Sequence, residues 1–211
     1  MTEKSYHHGD LAQELRHVAA DLIAERGAAG FSLREVARRA GVSHAAPAHH
    51  YGDATGLLTA VAIEAFVHLR AAILAAIEGI DDPGDRIVAA GRAYVEVSGS
   101  NPGHCAVAFR HDLVHADDPV LQAAGEGAHG LFRSLVQEFA DRHNPELDVD
   151  TATRLGWAAM QGLTQLYPSM VDIEVRHGAA SFPDRGQVAE ELGRMIVRGF
   201  MPTRASPTDR S

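Results

Sequence analysis

Residues 32–51, SLREVARRAGVSHAAPAHHY, constrain the fold of this chain more than any other stretch. Ser32 followed three residues later by Glu35 is a capping box, a pattern in which the two side chains satisfy backbone donors at a helix start. The spacing i, i+3, i+4 and i+7 then places four apolar residues on one helical face: Leu33, Val36, Ala37 and Ala40. Gly41 is expected to end this helix, because glycine adopts the left-handed, helix-ending conformation without steric cost.

A second short helix is predicted directly after this glycine. Ser43 is a typical N-cap residue, and the helix is expected to run from His44 to Tyr51. Two helices joined by a tight, glycine-containing turn form the helix-turn-helix unit, whose second helix enters the major groove of DNA. The stretch therefore predicts a DNA-binding head with residues 44–50 as its recognition helix.

Apolar periodicity predicts helices along the rest of the chain, with no convincing strand and no internal repeat. The segment 98–103, SGSNPG, is interpreted as a break, followed by a short helix to about Val114 and, later, a long helix to about Val171. The expected fold is all-α with about nine helices, a three-helix head carried on a larger helical domain. The predicted divisions are a DNA-binding domain (1–55, opening with a flexible arm that contains His7 and His8), an effector-binding and dimerisation domain (56–201) and a disordered polar tail (202–211).

Three motifs follow one another between residues 6 and 62: YHHGDL, LIAERGAAGFSLREVARRAGVS and HHYGDATGLL. In this order they resemble the tetracycline-repressor (TetR) family of bacterial transcription regulators. YHHGDL and the later segment 157–162, WAAMQG, are also similar to a subgroup whose regulatory domain carries a Trp-His-Gly signature, with Gln161 in the usual histidine place. The resemblance implies a homodimeric, ligand-responsive regulator, most often a repressor, that binds a palindromic operator on double-stranded DNA and an unknown small-molecule effector.

The candidate DNA contacts lie in and beside the helix-turn-helix. His44 is the candidate for a hydrogen bond to a base edge, and Ala45 or Ala46 could meet a thymine methyl group. Arg34 could reach the flanking phosphate backbone, where contacts position the protein. For His50 an alternative is a packed interior histidine that makes no DNA contact. The full candidate set is Ser32, Arg34, Ser43, His44, Ala45, Ala46, His49, His50 and Tyr51.

Two residues depart from the family pattern in a way that should weaken DNA binding, and the negative charge of the chain also disfavours DNA binding. Ala48 stands where tyrosine is usual, and Ala54 where lysine is usual, so two phosphate contacts are expected to be lost. The net charge is −9, and the first 60 residues carry six basic against seven acidic side chains. We therefore expect modest DNA affinity and a flatter salt dependence.

A ligand pocket is expected in the C-terminal domain, with aromatic walls and a few polar groups typical of small-molecule sites. For any single member of the set, an ordinary core position is the alternative. The candidate pocket residues are Phe66, Tyr94, Phe109, His111, Trp157 and Gln161. A dimer seam is expected on the last two helices, although a buried face within one chain would show the same pattern. Its candidate residues are Ala159, Gly162, Leu163, Leu166, Leu192, Met195 and Ile196.

A histidine cluster allows a metal site as an alternative. His111 and His115 are spaced i and i+4, as on one helical face, and His104 and Cys105 lie just upstream, so together they could ligate a soft or borderline metal. No second spaced pair completes a site, so no metal or cofactor is predicted. No nucleophile elbow, glycine-rich phosphate loop or His-Glu-x-x-His motif occurs, and we expect no enzymatic activity.

The cellular compartment follows from cysteine usage and hydropathy. One cysteine excludes an intramolecular disulfide, and we find no leader and no apolar run approaching the roughly 18 residues of a spanning helix. The chain is therefore expected to be cytoplasmic, without a membrane partner. The rival hypothesis is a TetR-like dimer that has weakened or lost DNA binding and serves as a small-molecule or metal-binding module.

Overall fold

The computed structural model describes residues 8–179 and 181–202, and in that part of the chain every regular element is helical. The predicted all-α fold is confirmed. The described elements are α1 (His8–Arg26), a 3₁₀ turn (Ala28–Gly30), α2 (Leu33–Arg39), α3 (Ala46–Tyr51), α4 (Ala54–Ile77), α5 (Pro83–Ser100), α6 (Pro102–Ala108), α7 (Pro119–His143), α8 (Val149–Arg176) and α9 (Arg185–Phe200). His7 of the predicted arm and the predicted tail from residue 203 onward lie outside the described residues.

The predicted break at 98–103 is wrong in its position. α5 continues to Ser100, and the interruption falls at Asn101, directly before Pro102. Proline lacks an N–H and fixes its own φ, so it is tolerated in the first turn of a new helix but not in a helix interior. The break is therefore set by the proline rather than by the serines and glycine before it.

α8 is longer than predicted, ending at Arg176 instead of near Val171. Its N-cap is Asp148, which accepts a hydrogen bond from the Thr151 N–H at 3.0 Å. Pro168 lies inside α8 and removes one helical hydrogen bond. Because Pro168 is exposed, water can satisfy the carbonyl that this leaves without a partner.

Residue contacts group the chain into two compact units, neither continuous in sequence. Unit 1 comprises Met1–His68 and Ser98–Ala128, and unit 2 comprises Leu69–Val97 and His129–Ser211. These units group residues by their contacts and not by their function. The predicted boundary between a DNA-binding domain (1–55) and an effector-binding domain (56–201) therefore stays a prediction.

Unit 1 is built around α1, which packs against α2, α3 and α6. Its fully buried apolar side chains come from α1, α2, α6 and the start of α4: Leu15, Leu22, Ile23, Val36, Leu57, Val61 and Val107. At the α1–α6 contact, Gly103 approaches the backbone of Ala20 so closely that a Cβ on Gly103 would lie 1.9 Å from the Ala20 carbonyl oxygen. Glycine is thus required there by a backbone contact, although its neighbours in sequence resemble a loop.

Unit 2 has a separate core formed by α5, α7, α8, α9 and the end of α4. Its fully buried side chains include Ile73, Val95, Leu135, Val136 and Phe139. Phe139 packs edge-on against Phe200 near the end of α9, and the Asn144 side chain donates a hydrogen bond to the Phe200 carbonyl at 2.9 Å. The end of α7 therefore fixes the C-terminal end of α9.

The expectation that no apolar stretch reaches spanning length is wrong for α4. Among the described helices, α4 is the one that is long and apolar enough to cross a bilayer by length and composition alone, with a mean hydropathy of 1.9. Core helices of soluble proteins pass the same test. Leu57, Val61 and Ala62 on α4 are fully buried within unit 1, which is the position of a core helix.

Candidate functional site

α2 begins and ends where the sequence predicts. Ser32 is its N-cap and accepts a hydrogen bond from the Glu35 N–H at 3.3 Å, while Gly41 after its end has a positive φ of 68°. The second hydrogen bond of the predicted capping box, from the Ser32 N–H to the Glu35 carboxylate, is not formed. The Glu35 carboxylate accepts hydrogen bonds from Arg38 and Arg39 instead, because two guanidinium groups attract a carboxylate more strongly than one backbone N–H.

The predicted recognition helix at 44–50 is wrong at its start, because α3 begins only at Ala46. Its N-cap is Ala45, which makes no side-chain capping bond, so Ser43 is not the N-cap. The physical reason is Pro47, which has no N–H to donate to the Ser43 carbonyl and therefore cannot extend the helix in the N-terminal direction. The Ala46 N–H instead closes a turn onto the Ser43 carbonyl at 3.0 Å.

α3 is fixed to the head on one side and exposed on the other. On the inner side Pro47 is buried, the Tyr51 hydroxyl donates to the Ala12 carbonyl at 2.7 Å, and Arg16 Nη1 donates to the Tyr51 hydroxyl oxygen at 2.9 Å. Burial raises the pKa of the Tyr51 phenol, which keeps it protonated as a donor. The exposed residues of the turn and helix are Ser43, His44, Ala45, Ala48 and His49.

His50 lies between these two sides. It is half-buried, and its ring centroid lies 5.8 Å from that of His49 and 6.3 Å from that of Tyr51. The hydroxyl of Tyr51 is engaged within the head, so this residue is an anchor of α3. The exposed part of the candidate DNA set is therefore the turn before α3 and the outer face of α3.

Carboxylates compete for the arginines of α2. Arg38 donates two hydrogen bonds of 2.8 Å to Glu35, and Arg39 donates to Glu25 at 2.9 and 2.6 Å. The Arg38 hydrogen bonds lower the pKa of Glu35 to about 2, so this carboxylate is ionised at every physiological pH. Among the arginines of the described part of the head, Arg34 is the exposed one without a carboxylate partner.

Glu35→Gln is expected to tighten DNA binding and steepen its salt dependence. Removing the carboxylate frees Arg38, and partly Arg39, for phosphate contacts, and each added contact raises the log–log salt slope by about 0.9. The slope should be measured by fluorescence anisotropy on duplex DNA between low and moderate salt. Glu190→Gln is the matched control, because it removes the same charge from an ion pair with Arg194 in unit 2. Equal salt slopes for the two variants would show that Glu35 does not compete with DNA phosphates for Arg38 and Arg39.

The six predicted pocket residues divide between the two compact units. In unit 1, the Phe66 and Phe109 rings meet edge-on at 5.4 Å, and His111 is exposed in a turn. In unit 2, the Tyr94 and Trp157 rings meet edge-on at 5.5 Å, and the Tyr94 hydroxyl donates to the Gln161 side-chain carbonyl. The predicted set thus forms one aromatic pair and one aromatic–amide group.

Tyr94 and Trp157 of the unit 2 group border a small cavity. Its lining residues are Ile73, Ala90, Gly91, Tyr94, Phe132, Gly156, Trp157 and Met160. Sequence reasoning found Tyr94 and Trp157 but missed the other six. Their apolar, helical spacing is the same for residues that border a cavity and for residues that fill a core, so no sequence signal distinguishes them.

The structure does not support the alternative of a metal site at His104, His111 and His115. α6 ends at Ala108, so His111 lies in a turn, His115 lies in an irregular segment, and the two do not share a helical face. His104 is buried, its Nε2 lies 3.4 Å from the Glu64 carboxylate, and burial lowers its pKa. Over the residues described, no three His, Cys, Asp or Glu side chains are grouped to hold a metal ion.

α8 and α9 present an apolar face to solvent. Leu166 is 60% exposed and Met195 63% exposed, values that are high for large apolar side chains in a folded chain. A groove of about 480 Å³ runs along this face. Its lining residues include six of the seven predicted seam residues: Ala159, Gly162, Leu163, Leu166, Leu192 and Met195.

Comparison with known proteins gives two family models and a series of solved structures. Residues 15–61 match the model of bacterial regulatory proteins of the tetR family, and residues 87–196 match the tetracyclin repressor-like C-terminal domain. No curated protein matches.

Three solved structures illustrate the likeness. A protein of unknown function from Rhodococcus sp. RHA1 is 29% identical, with 95% of this chain and 100% of that chain covered and a TM-score of 0.77. The TetR family transcriptional regulator PfmR from Thermus thermophilus is 20% identical over 90% and 96% of the two chains, with a TM-score of 0.71. The fatty acid degradation regulator FadR from Bacillus halodurans is 14% identical over 91% and 97%, with a TM-score of 0.73. At 20% and 14% identity, the PfmR and FadR structures show only that this chain shares their fold.

Proposed function

The chain belongs to the tetR family of bacterial regulatory proteins, and on that premise we propose that it is a cytoplasmic, ligand-responsive transcription repressor that binds a palindromic operator as a homodimer. The observation that supports DNA reading best is the two-sided arrangement of α3. Its inner side is held by Pro47 and Tyr51, while the turn at His44 and Ala45 is exposed to meet a groove. Membership of the Trp-His-Gly subgroup stays a prediction.

The exposed residues suit the two kinds of DNA contact. His44 has ring nitrogens that can donate to or accept from a base edge, and the small side chain of Ala45 lets the backbone approach closely. Arg34, in the first turn of α2, has no competing carboxylate among the described residues and suits a phosphate. Ser32, Ser43, Ala46, His49 and His50 complete the proposed contact set.

His44→Ala is expected to weaken operator binding and to relax specificity at one base position, because a good base contact contributes about 1–3 kcal/mol of discrimination. Arg34→Ala is expected to weaken binding similarly for all sequences and to lower the log–log salt slope by about 1. Titration of both variants with operator and with unrelated duplex DNA measures these effects. Arg70→Ala is the matched control, since Arg70 is an exposed arginine of unit 2. Wild-type affinity in both variants would rule out the residue assignments.

The homodimer follows from the symmetry of a palindrome and from the apolar face of α8 and α9. Two recognition elements can read two half-sites about one helical turn or a multiple apart only when a twofold axis relates them. The exposed Leu166 and Met195 belong to a continuous apolar surface that a second copy would bury. An effector would act by binding one of two dimer arrangements more tightly than the other, which shifts the population between them.

A second candidate function is a TetR-like dimer that has lost DNA binding and serves as a small-molecule binding module. It is favoured by the ion pairs that engage Arg38 and Arg39, and by Ala48 and Ala54 in place of phosphate-binding side chains. Selection from a pool of random duplex DNA at two salt concentrations separates the two functions. Enrichment of a palindrome supports the regulator, whereas a folded dimer that enriches no sequence supports the binding module.

A further inference from the structure

The cavity in unit 2 is apolar and partly open to solvent. The space open to a water-sized sphere is about 10 Å³, close to the minimum that one water molecule needs. With the open space at its mouth included, the hollow is about 230 Å³. Only apolar atoms of the described residues face it. An apolar cavity of about 150 Å³ stays dry and binds benzene, so this cavity must widen to take an aromatic ring.

We propose that this cavity is the effector site and that it takes a neutral aromatic molecule of one or two rings. The inference rests on the proposed ligand response and adds the chemical class of the ligand. Neutrality follows from the walls, which contain no charged side chain among the eight lining residues. An ion placed there would lose its hydration without gaining a partner, which is far costlier than burying an apolar ring.

An aromatic ligand follows from the three rings of the wall. The Trp157 ring meets Tyr94 at 5.5 Å and an interplanar angle of 73°, and it meets Phe132 at 6.3 Å and 62°. Aromatic rings prefer such edge-to-face contacts, so a further ring can continue the arrangement.

Met160 and two glycines provide the room. The Cε, Sδ and Cγ atoms of Met160 lie 3.0, 3.2 and 3.5 Å from the position of a Cβ on Gly91, so the thioether covers bare helix backbone. The Phe132 ring lies 2.8 Å from the Cβ position of Gly156. Methionine is unbranched and flexible, so Met160 can swing aside and leave a space bordered by these glycines.

The test uses Trp157, which is the single tryptophan of the chain and part of the cavity wall. The probes are toluene, phenol and benzoate, which share one ring and differ in polarity and charge. Fluorescence excited at the red edge of tryptophan absorption reports binding at about pH 7, where phenol is neutral and benzoate ionised. We expect saturable changes with toluene and phenol, and binding of benzoate at least about tenfold weaker.

Two variants and one control locate the binding. Gly91→Leu fills the cavity and is expected to abolish the response to toluene, while Gly130→Leu, the same change at an exposed helical glycine with open space around it, leaves it intact. Met160→Ala enlarges the cavity and is expected to tighten toluene binding several-fold. Should Gly91→Leu fail to fold, the Met160→Ala result decides alone.

Three results would overturn the inference: benzoate binding as tightly as toluene, toluene binding that Gly91→Leu leaves unchanged, or toluene binding that Met160→Ala does not tighten. These results are distinguishable from failure of the proposed function. Selection of an operator by a protein that ignores all three probes would refute only the ligand class. Probe binding by a protein that selects no operator would refute only the DNA-binding function.

Discussion

Gly103→Ala is expected to destabilise the protein by about 3 kcal/mol, at the upper end of the usual cost of overpacking a core. The added Cβ would lie 1.9 Å from the carbonyl oxygen of Ala20, 2.6 Å from its carbonyl carbon and 3.0 Å from its Cα. All three atoms belong to the α1 backbone, which cannot rotate away as a side chain can. α6 must therefore move off α1, and the buried surface between them opens.

Thermal unfolding measures this effect. For a chain of this length, about 3 kcal/mol corresponds to a fall in Tm of about 6–12 °C. The matched control is Gly130→Ala on α7, where nothing lies within 4 Å of the added Cβ. Alanine forms helices better than glycine, so this control should be stabilising by about 0.5–1 kcal/mol. An unchanged Tm for Gly103→Ala would show that α1 and α6 are not in close backbone contact.

Leu166→Asp is expected to separate the proposed dimer and to lower operator affinity by about 10²–10⁴-fold, because two linked half-site contacts become independent binding events. Leu166 is 60% exposed and borders the groove along α8 and α9, so a carboxylate there would be buried without a partner in a dimer. In the monomer it remains in water at little cost. The helices themselves should therefore stay folded.

Analytical ultracentrifugation tests whether the dimer separates, and operator titration tests whether DNA affinity falls. Val120→Asp is the matched control, since Val120 is 58% exposed on α7 and lies outside the groove. It should remain dimeric and bind the operator as the unmodified protein does. A Leu166→Asp protein that sediments as a dimer would place the seam elsewhere on the surface.

The parts of the fold that sequence predicts well are those fixed by neighbours in the chain. α2 starts at the predicted residue because the Ser32 cap and the Glu35 N–H are three positions apart, and it stops where Gly41 supplies a positive φ. α3 shows the limit of such reasoning, since two local signals conflict. Ser43 favours an early start, but the missing N–H of Pro47 prevents one.

The parts that sequence does not show are contacts between distant residues. Arg39 pairs with Glu25 across 14 positions, and Tyr51 bonds to the Ala12 carbonyl across 39. Periodicity identifies which face of a helix is inside, but not which partner it meets there. For the same reason Met160 and Gly91 are ordinary helical residues in the sequence, and only the structure brings them together at a cavity.

The shortness of α3 has a consequence for the heat of DNA binding. α3 has six residues, whereas an isolated helix of fewer than about 12–15 residues is marginal in water. Its order therefore depends on the buried Pro47 and on the Tyr51 hydrogen bonds, whereas the preceding turn at His44 and Ala45 is exposed and is held by backbone hydrogen bonds alone among the contacts described. If this turn becomes ordered only against a base pair, association should be driven by enthalpy and opposed by entropy, with a negative heat-capacity change.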